Sequence, residues 1–505
     1  MKWLQTGASA CLLLAPIMWV LPASAQDRQC LRIVGTDWSS EQQSVDPLIN
    51  NNVSDMMRIT TLYEKLVDLD NGYQPVPVLA ERWESDETGT AWTFHLRKGV
   101  KWHDGRDFTA RDVIWTMKRV LDPTLDSGAA ATLSMIDPDK IEALDDHTVR
   151  FTLRSASVEF PILITSKYTA IVPDGMNRED LQARPVGTGP YMVEAFIPGP
   201  NLVAERNPNY WKPGLPKAEC VELSGITESV SRVAALQSGQ ADLLIFLEPS
   251  AAVSLAGDPG ANVVSSPGGS VMTLSMWVDT PPFDKVEVRQ AMKLVVDRQQ
   301  MVDTALLGLG APGNDNPVPP TSPDAYRSDI IGRDVAKAKE LLAAAGYPDG
   351  LSVDLYTSNS VAAMVPVAQL YQQMAAEAGI NVNIINSPAD SYWNEVWLKR
   401  PFLTSSWGGR PTAEALSIAY LSDSQFPETR WFREDYDALI REANMTVDPQ
   451  KRRELFQSAQ RLLAEEGGVI VPAFASVVAA MRKGCSGYEP NNNVNNNDFS
   501  AFHCE

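Results

Sequence analysis

The chain has 505 residues with 43 basic and 63 acidic side chains, a formal charge of −20. At ~100–200 residues per domain, that length exceeds one compact core and predicts roughly two to four domains. Hydrophobic content of 44% and charged content of 21% fit a globular chain, and the acidic excess excludes nucleic acid, whose phosphates demand basic patches.

Residues 1–25 carry Lys2 as their only charge, then the apolar run "CLLLAPIMWVL", then Ala23-Ser24-Ala25. This is the pattern of a secretory signal peptide cut after Ala25, which makes the mature chain an exported one. The run is short and broken by Pro16, whereas a spanning helix needs ~20 apolar residues. Past the leader, "CLRIVG" (30–35) reads as a buried first strand, and "LYEKLVDLD" (62–70) as a short element entering a turn at Asn71-Gly72. "AWTFHLRKGVKWHDG" alternates: Trp92, Phe94 and Leu96 face one way, and Thr93, His95 and Arg97 the other. Lys98-Gly99 reads as a turn after which Val100 and Trp102 resume the apolar face, giving a hairpin. Thr109 caps a helix over "ARDVIWTMKRVL" that stops before Pro123. "HTVRFTL" (147–153) is another strand, "VGTGPYMVEAF" (186–196) enters one, and "RNPNYWKPGLPKAE" (206–219) is turn-rich.

The second half of the chain reads as alternating α and β. "TESVSRVAALQSGQADLLIF" predicts a helix, a stop at Gly239 and a buried strand, and "DKVEVRQAMKLVVDRQQMVDTALLG" a helical stretch closed by Gly308. "APGNDNPVPPTSPD" is a proline-dense connection. Asp334 caps a helix ended by Gly346, with Val335, Ala338, Leu341, Leu342 and Ala345 on one face. Leu351, Val353 and Leu355 alternate on a strand, a second helix runs to Gly379, and Ile380, Val382 and Ile384 form the next strand, a βαβ unit. Asp448-Pro449 opens a last long helix that ends at Gly467-Gly468, before "VIVPAF". The one low-complexity piece is "NNNVNNND".

Chemistry-bearing motifs are scarce. Cys30, Cys220, Cys485 and Cys504 remain after cleavage, an even count that predicts disulfides with three possible connectivities. Cys485 and Cys504 bracket a loop that a bridge ties down, so the expected pairs are Cys485–Cys504 and Cys30–Cys220. No C-x-x-C spacing suggests a metal site. His95 and His103 share one predicted hairpin, which reads as an exposed hairpin or, alternatively, a metal pair. No H-E-x-x-H, G-x-S-x-G or P-loop pattern occurs, so no catalytic residue and no cofactor is indicated. The 13 tryptophans are more informative, because Trp38, Trp277, Trp393, Trp397 and Trp407 fall in loops or at element ends. Such rings suit core packing or the wall of a ligand pocket. Trp407 favours the pocket, since Gly408 and Gly409 follow it and make little sense in a core strand.

"LAERWESDETGTAWTFHLRKGVKWHDGRDFTARDVIWTMKRVLDP" (79–123), "GTGPYMVEAF" with "ERNPNYW", "PPFDKVEVRQAMKLVVDRQQMV" (281–302) and "AKAKELLAAAGYPDG" together resemble family 5 extracellular solute-binding proteins. That family serves ABC importers of oligopeptides, dipeptides, nickel and related solutes. The resemblance covers nearly the whole mature chain, with the blocks in family order. It implies an α/β, periplasmic-binding-protein-like type II fold with three lobes, two that clamp the ligand and one extra α+β lobe. Lobe I would combine 26–70, 185–268 and 481–505; lobe II would be 71–184 and lobe III 269–480. Cys30–Cys220 would then join two segments of lobe I. The hairpin at 92–102 and the "NPNYW" turn become scaffold, and the ligand cleft lies between lobes I and III. Its expected walls are Thr36, Asp37 and Trp38; the strand 271–277 with Thr273, Ser275 and Trp277; Trp393 and Trp397; and Trp407, Gly408, Gly409, Arg410 and Thr412. Gly408 and Gly409 would let an extended ligand approach the backbone.

One departure matters. Peptide-binding members read W-x-x-D here, whose Asp pairs with the ligand's α-amino group, but this chain reads Trp407-Gly408-Gly409-Arg410. An arginine welcomes a carboxylate or phosphate, or else pairs internally with Glu414 four residues on. Asp37 or Asp390 could recover an amine site. The resemblance implies a monomeric periplasmic protein that captures peptides or peptide-like solutes and delivers them to an inner-membrane permease with ATPase subunits, without covalent chemistry. Two alternatives stand beside it: a binder of an anionic non-peptide solute (an opine, an acidic conjugate or a sugar phosphate), and an exported hydrolase.

Overall fold

In the computed structural model, residues 30–36, 44–49, 53–194, 196–326, 331–493 and 496–505 are described; the expected signal peptide, and Asp37 and Trp38, lie outside them. The largest sheet has 11 strands among the described residues. At one end is the predicted βαβ unit: Leu351–Ser358 and Ile380–Ser387 pair in parallel, joined by the helix Met364–Ala376. Gly379, at φ +82°, makes the turn into the second strand. At the other end Leu31–Gly35 lies between Cys220–Gly225 and Leu243–Leu244, parallel to both.

Two long antiparallel strands, Ala261–Met276 and Val469–Arg482, connect these ends. Met481 and Ala480 pair with Leu243 and Leu244, whereas Ser270 to Met276 pair with Gly408 back to Phe402. Between Ser266 and Ser270 the register slips at Pro267-Gly268-Gly269. A Cβ at Gly269 would fall 2.2 Å from Val477 Cγ2, so the bulge requires glycine.

A separate four-stranded antiparallel sheet contains Ala80–Ser85, Ala91–Leu96, Thr148–Leu153 and Ile136–Asp145. Trp92, Phe94 and Leu96 are buried as the alternation predicts. The predicted hairpin partner is corrected. Ala91–Leu96 pairs with Ala80–Ser85 and Thr148–Leu153, not with the segment holding Val100 and Trp102. Residues 100–108 close on themselves through Lys101 opposite Asp107 and a Trp102–Phe108 edge contact. The helix Ala110–Leu121 carries the predicted cap, Thr109, in a capping box with Asp112.

The predicted helix over 284–308 is broken. Val286–Leu294 and Arg298–Gln300 are followed by a π-helical turn, Met301–Ala305, and Gly308 closes the run at φ +80°. Arg289, Gln290 and Lys293 from its first segment donate to carbonyls of Leu463–Glu466, capping the end of Pro449–Glu466. Both expected disulfides are present, Cys30–Cys220 and Cys485–Cys504. The asparagine tract is partly interior: Asn492 is fully buried and donates two hydrogen bonds of 2.8 Å to Asn71, from its backbone N–H to Oδ1 and from Nδ2 to the carbonyl. No helix among the described residues is long and apolar enough to cross a membrane.

Candidate ligand-binding site

The pairing of Ala261–Met276 with Phe402–Gly408 brings two of the three expected walls together, setting Thr273 opposite Ser405 and Val271 opposite Trp407. Three half-buried rings gather where the second strand ends. Trp397 lies 5.9 Å from Trp407 and 5.4 Å from Phe426, and Trp407 lies 5.9 Å from Phe426. Trp393 extends the group, 5.7 Å from Trp397.

Beside these rings is a cavity of about 740 Å³. One wall comes from Gly408–Pro411 and the segment to Phe426, the other from Glu159–Tyr168, with Tyr73 and Asn493 at the margin. Leu163 and Tyr168 pack on the core of the four-stranded sheet, and Ile418 and Leu421 on a core formed with the helices 434–445 and 449–466. The cavity therefore opens between two separately packed bodies, and by the expected bounds its walls 159–168 and 408–426 belong to lobes II and III, not to lobes I and III as the resemblance implied. Its charged residues are Glu159, Lys167, Arg410, Glu414 and Asp423. Burial raises the pKa of Glu159, opposed by Arg452 at 3.7 Å.

Arg410 is half-buried on this wall. Its Nε donates to Glu414 Oε1 at 2.8 Å, Nη1 donates to the Gly408 carbonyl at 2.8 Å, and the guanidinium sits 5.3 Å from the Trp407 ring centroid. The internal pairing foreseen for Arg410 is thus present, and the side chain still faces the cavity.

Other expected residues are placed differently. The close approach at Gly409 is to Tyr73, whose hydroxyl donates to the carbonyls of Gly268 and Asn492; a Cβ on Gly409 would fall 1.7 Å from that hydroxyl. Gly408 is exposed. Thr412 is buried, its hydroxyl bonded to Ser322. Trp277 lies under Arg430 at 3.3 Å. Thr36 follows the end of the first strand, half-buried. Thr273 and Ser275 are buried behind the rings.

Sequence reasoning missed Glu428, a buried carboxylate that accepts from Trp397 Nε1 at 2.5 Å and Ser275 Oγ at 3.0 Å. It also missed Tyr73, Tyr420 and the 159–168 wall. Tyr73 had one weak local signal, its place after Asn71-Gly72 in a turn, where it adopts φ 60°.

A second cavity, of about 540 Å³, lies among Glu64, Lys65, Asp68, Tyr210, Lys212 and Asp498. None of the expected site residues lines it. Glu64 there is held by Tyr210, Trp211 and Thr188, so the "NPNYW" turn braces a buried acid, with burial raising its pKa. The two histidines do not form a metal pair: His95 bonds Glu84, whereas His103 bonds the backbone of Gly187 and Gly189. Among the described residues, one acid–cysteine group has metal-ligand spacing, Asp242 with Cys485 and Cys504, and the disulfide uses both sulfurs.

A sheet crossed by two bulged strands, with a cavity between separately packed bodies, defines a ligand-capturing protein of the type II periplasmic-binding-protein fold. The chain belongs to the bacterial extracellular solute-binding proteins, family 5, whose middle-region sequence pattern (family 5 Middle) matches residues 74–427. It is 30% identical over 502 residues to the glutathione-binding protein GsiB of Salmonella choleraesuis (strain SC-B67), covering 96% of each chain. It is 28% identical over 477 residues to di/tripeptide-binding protein 1 of Pseudomonas aeruginosa (strain UCBPP-PA14), covering 84% of this chain and 85% of that one. A solved structure of the binding protein AgaA with agropinic acid, from A.tumefacien R10, superposes with a TM-score of 0.72 at 26% identity, covering 94% of this chain and 99% of that chain. The family and these relatives are binding proteins.

Proposed function

We propose that this protein is the periplasmic solute-binding component of an ABC importer, taking up peptides or peptide-like solutes. The observation that carries the reading is the cavity of about 740 Å³, faced by the Gly408–Arg410 segment singled out from sequence and large enough for a small peptide. Full-length similarity to di/tripeptide- and glutathione-binding proteins supports the solute class. The signal peptide is removed after Ala25, and the mature monomer delivers its solute intact to a membrane permease with ATPase subunits.

The division into lobe I (26–70, 185–268, 481–505), lobe II (71–184) and lobe III (269–480) is part of this proposal. The buried cores support it. Phe94, Trp102 and Phe151 share one, which Leu48, Leu66 and Val67 of lobe I also enter; Ile33, Val221 and Phe502 share another, with Ala170, Val172 and Leu181 of lobe II; Met292, Tyr371 and Phe402 share a third. Solute contacts to more than one lobe stabilise the closed form by differential affinity. Thr36, Asp37, Trp38, Trp407, Gly408 and Arg410 are assigned to the solute directly, while Gly409 makes room for Tyr73; Thr273, Ser275, Trp393 and Trp397 support the ring wall.

The test is a thermal-shift screen of the mature protein against di- and tripeptides, glutathione, opines and sugar phosphates, followed by calorimetric titration of each hit. Saturable binding of a peptide or glutathione is expected. Binding confined to opines or sugar phosphates contradicts the peptide reading.

A further inference from the structure

Tyr73 stands where the three proposed lobes meet. By the proposed bounds it lies at the start of lobe II. Its hydroxyl donates to the carbonyls of Gly268 and Asn492 in lobe I, and Gly409 of lobe III lies against it. It is 1% exposed, and its φ of 60° is one that a bulky side chain rarely adopts. Such a conformation persists only where the surroundings over-determine it. The turn that carries it is moored to the C-terminal part of lobe I by the asparagine tract. Asn492 donates two hydrogen bonds to Asn71, and Asn491 and Asn496 each donate to the Leu69 carbonyl, at 3.4 and 3.3 Å. Burial, partly offset by Arg410, raises the Tyr73 pKa, so the hydroxyl stays protonated and donates. On the lobe III side the fit is tight. Gly409 donates its backbone N–H to the Gly269 carbonyl at 2.8 Å, and a Cβ on it would fall 1.7 Å from the Tyr73 hydroxyl oxygen.

We propose that Tyr73 is the seat on which lobe III closes: a ring fixed by its bonds to lobe I, against which the missing side chain of Gly409 lets the Gly408–Arg410 wall come to rest. The inference rests on the solute-capture reading and its lobes, and adds the residue that sets the closed position. Tyr73 and Gly408–Pro411 border the same cavity of about 740 Å³, so the Tyr73–Gly409 contact spans the gap that opening would widen. Closing the cavity and seating Gly409 are then one event. Because Tyr73 is almost fully buried, it is a positioning residue that acts through the wall and not by touching the solute. A solute that binds the closed form more tightly than the open one loses affinity in proportion when the seat is blocked.

The experiment is calorimetry of the mature protein with di- and tripeptides and glutathione, joined to small-angle X-ray scattering before and after saturation. Gly409→Ala, whose methyl meets the hydroxyl, is expected to weaken every solute by the same factor, about tenfold or more. At saturation it should keep a larger radius of gyration than the parent. Tyr73→Phe alone is expected to weaken binding by about fivefold at most. Added to Gly409→Ala, it vacates room for the methyl, so the double variant should bind more tightly than Gly409→Ala and close further. Should Gly409→Ala fail to fold, the double variant is compared with Tyr73→Phe. It is expected to bind more weakly, because Tyr73 Cζ still lies 2.7 Å from the added methyl, and equal binding overturns the seat. Unchanged affinity or an unchanged saturated radius in Gly409→Ala, a loss confined to some solutes, or no recovery in the double variant overturns the seat while leaving solute capture intact. If no solute binds the parent, capture fails and the free proteins decide the seat. A larger radius in Gly409→Ala that Tyr73→Phe reverses upholds it, and equal radii overturn it.

Discussion

Replacing Gly409 with alanine should strain the junction between the turn that carries Tyr73 and the strand end that carries the cavity wall. The added methyl would lie 1.7 Å from Tyr73 Oη, 2.7 Å from Tyr73 Cζ and 2.7 Å from the Gly268 carbonyl oxygen. Tyr73 is 1% exposed, and its hydroxyl holds Gly268 at 3.0 Å and Asn492 at 3.2 Å. The ring must shift, and both bonds go with it. Neutral hydrogen bonds contribute about 1 kcal/mol each and overpacking costs about 1–3 kcal/mol. Partial relaxation leaves a loss of about 3 kcal/mol. Urea unfolding followed by tryptophan fluorescence reads this as a lower midpoint at unchanged slope. Tyr73→Phe should cost about 1–2 kcal/mol, and the double variant less than the sum, because the hydroxyl that clashes is already gone. A Gly409→Ala protein within about 0.5 kcal/mol of the parent, or strict additivity in the cycle, would refute the contact.

The remaining predictions concern buried groups and cross-links. Burial chiefly lowers the His103 pKa, from 6.5 to about 4. Between those pH values the unfolded chain takes up a proton that the folded chain refuses. Stability should therefore fall with pH through that window, by about 3 kcal/mol at its foot, and His103→Gln should flatten the fall; an identical pH profile in the variant contradicts this. Lys293, also lowered mainly by burial, to about 8 from 10.5, has the opposite consequence. Its buried charge opposes folding fully below pH 8, and stability relative to Lys293→Met should rise by about 3 kcal/mol between pH 8 and 10.5, as urea midpoints across that range would show. Cys30–Cys220 spans 190 residues and Cys485–Cys504 spans 19. Replacing each pair by serine should cost about 5 and about 3 kcal/mol respectively, and the reverse order in denaturation would contradict loop closure as the cause.

Local chemistry was legible where neighbours along the chain decide it. Asp334 and Asp448 cap the helices expected of them, bonding to Lys337 N and to Gln450 N and Lys451 N. The alternation at Trp92, Phe94 and Leu96 names the buried face correctly. The pairing partner did not follow, because the strands that flank Ala91–Leu96 are chosen by non-local packing. The cavity shows the same division. Trp407 and Arg410 carry a local anomaly, an arginine after paired glycines; Arg410 reaches the cavity wall, whereas Trp407 packs with Trp397 and Phe426 beside it. Gly409 was read as room for a ligand, yet its missing side chain makes room for Tyr73, 336 residues earlier in the chain. Glu428 looks like any other acid until the fold buries it against Trp397 and Ser275. The asparagine tract looks solvated, but its amides pair with the backbone of Leu69 and Asn71, more than 400 residues away in sequence.

Capture without chemistry is tested most directly by native mass spectrometry of the mature protein titrated with di- and tripeptides. The expected spectrum shows a saturable 1:1 adduct, and dissociation releases the solute at its original mass. Hydrolysed fragments, or no adduct with any peptide at saturating concentration, would contradict a solute-carrying role.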